Sequence, residues 1–138
     1  VFSNDTNALK AVSSGQCGLT VVNTYYLARL KTDSTYDNLT LFWANQEDRG
    51  VHVNISGAGI VKTSKNKEQA IKLLEYLSSA EAQDDYASAN KEYPVLIGAS
   101  VDASIAQWGE FVEDTIGVEK LGKLQKEAVF LAQEAEYN

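Results

Sequence analysis

The sequence predicts an α/β fold with a largely parallel sheet, and three observations lead there. A helical pattern at about 5–14 gives way to the apolar run Gly18-Leu19-Thr20-Val21-Val22, and a second helical pattern opens directly behind it with Leu27, Ala28 and Leu30. That alternation of strand and helix is the mark of parallel β-α units. Val51-His52-Val53-Asn54-Ile55-Ser56 alternates apolar and polar residues, as a half-buried strand does. Farther on, apolar residues recur at helical spacing over 67–77 and 118–135.

Each element has a local cause. Asp5 is read as the N-cap of the first helix, with Ala8, Leu9 and Val12 on one face and Gly15 as the stop. Residues 32–38 are loop by composition, and Thr40-Leu41-Phe42-Trp43 reads as a short strand. Gly57-Ala58-Gly59 lets backbones bend or approach closely, but no Lys-Ser or Lys-Thr follows at phosphate-loop spacing. Asn66 with Gln69 reads as a cap for the next helix, whose expected buried stripe is Ala70, Ile71, Leu74 and Leu77. Ser78 with Glu81 reads as a capping box opening a helix over 79–89, and Pro94 stops any helix near Tyr93. A short helix at 103–108 carries Trp108. The last helix, 118–135, is expected to turn Leu121, Leu124, Ala128, Leu131 and Ala135 to a core.

Composition narrows the function classes. The chain has 138 residues, 44% of them hydrophobic and 22% charged, as in a globular domain. Its net charge of −7 makes nucleic acid and anionic membrane surfaces poor partners. No apolar run is long enough to span a bilayer, so no membrane insertion is expected. Cys17 is the one cysteine, so an internal disulfide is excluded. The absence of methionine and of a signal peptide leaves two expectations, an exposed mature start or a piece of a longer protein.

The stretch with chemistry in it is Asn23-Thr24-Tyr25-Tyr26, where a strand is expected to end and a helix to begin. Ligands bind in that crevice of open α/β sheets. Two phenols from one helical turn can converge on a point beyond the helix end, where the helix dipole favours phenolate. Phenolate oxygen is a hard donor and suits a hard cation, ferric iron above all. On its own a Tyr-Tyr pair is better read as two tyrosines on a helix start, one packed and one half exposed. His52, the single histidine, reads as a surface or hydrogen-bonded side chain rather than a ligand, because no carboxylate sits at metal-site spacing.

The surroundings of the pair add to that reading. Gly15-Gln16-Cys17-Gly18 through Asn23-Thr24-Tyr25-Tyr26, then Val51 to Gly59, Ala70 to Ser79 and Glu92-Tyr93-Pro94-Val95, resemble the periplasmic ferric-iron-binding proteins of ABC importers. The likeness runs over nearly the whole chain and in the family's order. It implies a periplasmic-binding-protein-like (type II) two-lobed fold, of which this chain is the C-terminal half. Residues 1–52 would then belong to the C-terminal lobe, 53–97 would cross to the other lobe, and 98–138 would return with the terminal helix. The resemblance implies Tyr25 and Tyr26 as ligands of Fe(III), with a synergistic anion, and Asn23 and Asn54 as candidates to hold those ligands in place. It implies a periplasmic solute-binding protein that captures ferric iron, delivers it to an ABC permease and catalyses no reaction. The missing N-terminal half of the same protein is expected as a further partner.

Other classes fit less well. A hydrolase lacks a Gly-x-Ser-x-Gly elbow, and nothing places Cys17 beside His52. A binding protein of the same fold for an oxyanion or small organic ligand, or a non-catalytic interaction domain, remains an alternative. Anion sites prefer backbone amides and arginine, and the chain has only Arg29 and Arg49.

Overall fold

The computed structural model describes residues 2–137, and six α-helices are its regular elements. They are α1 (Asp5–Ser13), α2 (Thr24–Leu30), α3 (Lys67–Leu77), α4 (Ala80–Asn90), α5 (Ala103–Ala106) and α6 (Val118–Glu134), with a 3₁₀ turn at Ser34–Tyr36 inside the predicted loop. Helix positions follow the sequence reading closely, but several caps do not. Asn4, not Asp5, caps α1, accepting the Asn7 amide at 2.9 Å, because its extended backbone turns the side chain toward the first turn. Asn66 precedes α3 without a side-chain cap bond, and Ser64 instead accepts the Asn66 amide at 3.2 Å. Ser79 caps α4, while Ser78 closes α3 by donating its hydroxyl to the Leu74 carbonyl. Two adjacent serines thus divide the work of ending one helix and starting the next. The short helix α5 stops at Ala106, and Trp108 lies just beyond it.

The predicted strands 18–22, 40–43 and 51–56 are extended, but no ladder joins them among the described residues. A strand exists only through the hydrogen bonds to its neighbour, and these three runs form none with one another among the described residues. Leu19, Val21 and Phe42 are open to solvent. Among the described residues the one β-pairing is an isolated parallel bridge between Val51 and Glu113. There the Val51 amide donates to the Val112 carbonyl and the Asp114 amide to the Val51 carbonyl, both at 2.8 Å.

Packing is concentrated where α1 meets α2. Leu9, Leu27 and Leu39 are buried together, and Val12, Val22, Tyr26, Leu30, Tyr36, Leu41 and Trp108 close around them. Burying a leucine of this kind contributes about 2 kcal/mol. The loop after α2 is tied down by Lys31, whose ammonium donates to the Leu39 carbonyl at 2.9 Å, and by Asn38, which donates to the Ser13 carbonyl at 2.8 Å. Ala82 and Ala87 of α4 and Ile105 of α5 are also buried. Trp43 stacks on Phe111, Tyr93 stands edge-on to both, and Trp43 Nε1 donates to the Trp108 carbonyl at 3.2 Å.

The expected apolar stripes of α3 and α6 are not core-facing among these residues. Neither helix has a buried residue, and Ile71, Leu77, Leu124 and Leu131 stay exposed. Periodicity marks a face that is fit for burial, and burial also needs a surface opposite, which the described residues do not provide.

Two positions give direct tests of this architecture. Gly50 has φ +90°, and an added Cβ would lie 2.5 Å from the Glu113 carbonyl carbon, against backbone that cannot yield. Gly50→Ala is therefore expected to destabilise the complete protein by roughly 2–4 kcal/mol. Gly15→Ala, at φ +77° in open space, is expected to cost only ~1 kcal/mol. Urea denaturation of the two variants checks the order, and equal losses would contradict the close approach at 113.

Asp102 gives the second test. Its carboxylate accepts from the Ser104 hydroxyl, from Lys91 Nζ at 2.9 Å, from the Ser104 amide at 2.9 Å and from the Ser88 hydroxyl at 2.8 Å. The Ser104 hydroxyl first, then Lys91, hold the carboxyl well below the usual carboxylate range. A depressed folded-state value makes this contribution complete above the unfolded value of about 3.9 and lost as pH falls below it toward the folded value. Asp102→Asn should therefore lower the denaturation midpoint at neutral pH, and its deficit should close as pH is taken below 4. A deficit unchanged down to pH 2 would assign the loss to shape rather than charge.

Candidate metal centre

The tyrosine pair stands on the first turn of α2, and the reason is local. Asn23 is extended (φ −69°, ψ 139°), Thr24 begins the helix, and the Tyr26 amide closes the first turn onto the Asn23 carbonyl at 3.2 Å. Buried Leu27 and Ala28 then fix which way this turn faces. Tyr26 leans on the Leu9–Leu27–Leu39 cluster. Tyr25 lies against it, with ring centroids 4.3 Å apart and planes tilted by 37°. Both rings are half-buried.

Electrostatics at the pair favour a cation. The Tyr25 phenol is held above its ordinary value, first by hydrogen bonding with Tyr26, then by burial, then by the negative charge of Tyr26, Asp5 and Glu92. Two phenolates at this distance repel each other, and two carboxylates add to the field. A multiply charged cation between the oxygens would attract both phenolates and both carboxylates, and would itself displace the phenol protons.

Asn23 and Asn54, the two residues expected to hold the ligands in place, are brought together: Asn54 Nδ2 donates to Asn23 Oδ1 at 3.2 Å. The Asn23 amide also donates to Asp5 Oδ2 at 3.3 Å. Asp5 thus serves the start of α2 instead of capping its own helix. His52 is exposed on the extended segment, and Cys17 is a half-buried free thiol. Among the described residues no group of three or more His, Cys, Asp or Glu side chains could hold a metal ion. The chain therefore offers two phenol oxygens as donors, and the fit to a hard trivalent cation rests on them.

The remaining tyrosines divide. Tyr76, Tyr86 and Tyr137 are exposed, so Tyr76 is not a core residue of its helix. Tyr93 packs against Trp43 and Phe111, and burial raises its phenol above the ordinary value. Two contributors at the site were not read from the sequence. Arg29 sits 4.9 Å from the centre of the Tyr25 ring, four residues on, which helical spacing alone would have indicated. Glu92 reaches the pair only through the fold.

Two surface hollows, lined by Phe2, Asn7 and Lys10 or by Tyr93, Glu110 and Phe111, include neither Tyr25 nor Tyr26. No helix among the described residues is long and apolar enough to cross a membrane.

Comparison with known proteins gives one consistent answer. The Synechocystis iron uptake protein A1 is 45% identical over 138 residues, covering 96% of this chain and 38% of that protein. A Trichodesmium structure in complex with iron and citrate superposes with a TM-score of 0.93 at 42% identity, covering 99% of this chain and 45% of the other. The ferric-binding protein of Campylobacter jejuni superposes with a TM-score of 0.88 at 32% identity, covering 96% and 44%. The chain thus spans less than half the length of these relatives and shares the type II binding-protein architecture of the structures it matches. Residues 1–84 match the family described as bacterial extracellular solute-binding protein, and this chain belongs to that family.

Proposed function

We propose that this chain supplies the tyrosine half of a ferric-iron site in a periplasmic solute-binding protein that hands its cargo to an ABC permease. The observation that carries the proposal is the close, tilted ring pair Tyr25–Tyr26 at the head of α2, half-buried in a field of negative charge. The relatives named for iron uptake and ferric binding support it. The other donors would come from the N-terminal half of the protein, from water or from an anion, and the relative solved with iron and citrate supports an anion. The chain's residues bind and orient the cargo, and no bond of a substrate is made or broken.

The domain reading fits this role. Residues 1–52 and 98–138 would belong to one lobe and 53–97 to the other, with closure by hinge motion at the crossings. The Asp102 bonds to Ser88 and Lys91 favour keeping 98–106 with α4 in the opposite lobe, so the return crossing would fall later than residue 98. The bridge between Val51 and Glu113 favours a return crossing near 108–114.

Iron titration of the complete protein tests the proposal. Phenolate bound to Fe(III) absorbs visible light by charge transfer from ligand to metal. Tyr25→Phe and Tyr26→Phe each keep the ring and remove one donor. Each should weaken iron binding by at least about 100-fold with little loss of stability, and the double variant should lose both colour and binding. Tyr76→Phe, altered on an exposed ring, should bind as wild type does. A double variant that keeps wild-type colour and affinity removes the site.

The same phenols set the pH dependence. The Tyr25 phenol is held above its ordinary value, and a phenol that binds Fe(III) as phenolate gives up its proton. Affinity should therefore fall as pH is lowered, approaching about 100-fold per pH unit if both protons are released. Competition with a chelator of known protonation measures the slope, and a flat profile from pH 8 to pH 6 would contradict phenolate ligation.

A further inference from the structure

Arg29 makes two contacts that no cap, turn or core contact requires. It lies one helical turn after Tyr25, and its guanidinium carbon sits 4.9 Å from the Tyr25 ring centre. The same guanidinium, through Nη2, donates to the Asn90 carbonyl at 3.3 Å, across 61 residues of chain. Asn90 is the last residue of α4, after which Lys91 takes the left-handed conformation (φ 60°). Carbonyls of a last turn have no helical partner and carry the negative end of the helix dipole, so a guanidinium is well matched to this one. The bond therefore places the end of α4 beside the tyrosine helix.

We propose that Arg29 is a positioning residue that tethers the tyrosine helix to the end of α4 and thereby controls release of the cargo. The proposal rests on the ferric reading above. A planar guanidinium can lie over a ring and still direct an N–H at a carbonyl in its own plane, whereas an ammonium offers a point charge without that fork. Binding of the Tyr25 oxygen to the metal would fix the ring on which Arg29 rests, so that surface is better ordered in the loaded state than in the free state. The loaded state therefore holds Arg29, and through it the Asn90 carbonyl, more firmly. On the domain reading above, α4 lies in the lobe opposite α2, and the bond then spans the cleft that must open for release.

The test uses the complete protein with Arg29→Met and Arg29→Lys. Without iron, hydrogen exchange of the amides of residues 88–92 should be about tenfold faster in Arg29→Met, with those of α1 unchanged. With Fe(III) and citrate, release to a chelator should be about 10-fold or more faster in Arg29→Met, and the visible band should shift because the charge over the ring is gone. Arg29→Lys should keep the band near its wild-type position but still release faster, since charge survives and the fork does not. Unchanged exchange at 88–92 overturns the tether, and wild-type release rates in both variants overturn its role in holding cargo. If the wild type takes up no iron, the ferric reading falls and Arg29's role in release falls with it, while the tether is still decided by the exchange result.

Discussion

The contact on which the site depends is the packing of Leu27 against Leu9 and Leu39. α2 is only seven residues long, too short to hold itself in water. What keeps it helical and fixes its rotation is burial of one apolar stripe on α1 and on the loop that follows. Tyr26 belongs to the margin of that same cluster, so the position of one proposed donor is set by core packing. The other proposed donor lies against its neighbour ring and under Arg29. The chemistry is thus carried on a turn whose geometry is imposed from below by apolar contacts.

Charge works in the opposite direction. Asp5 and Glu92 approach the phenols from different parts of the chain and, together with Tyr26, oppose ionisation of Tyr25. Without a cation between the phenols that is a cost. A trivalent cation placed there, as proposed, would be attracted by the same groups. Arg29 brings a positive charge to one edge of that field.

The extended segments show how much of a fold can be present without its hydrogen bonds. Residues 18–22, 40–43 and 51–56 have the backbone and the alternation of strands, yet the only pairing among the described residues is Val51 with Glu113. The high structural similarity to proteins more than twice as long, 0.93 in one case, shows that these segments already hold the conformation they have in the longer relatives. Local helices, the α1–α2 core and the Trp43–Phe111 stack are sufficient to trace that path.

The sequence by itself determined the helices, because 3.6-residue periodicity, Gly15 at a left-handed position and Pro94 after Asn90 act over a few residues each. It also determined the adjacency of the two phenols, which one helical turn guarantees, and the family, legible in the residues around them. The tertiary structure decided what local signals cannot carry. Which of two neighbouring serines caps α4 depended on backbone angles at Ser79. Whether the α3 and α6 stripes are buried depended on a facing surface that periodicity does not specify. Arg29 was half legible: its spacing from Tyr25 is written in the chain, but its bond to Asn90, like the approach of Glu92, joins residues more than sixty positions apart. Such contacts exist only once packing has closed the intervening chain, and no pattern along the sequence encodes the distance.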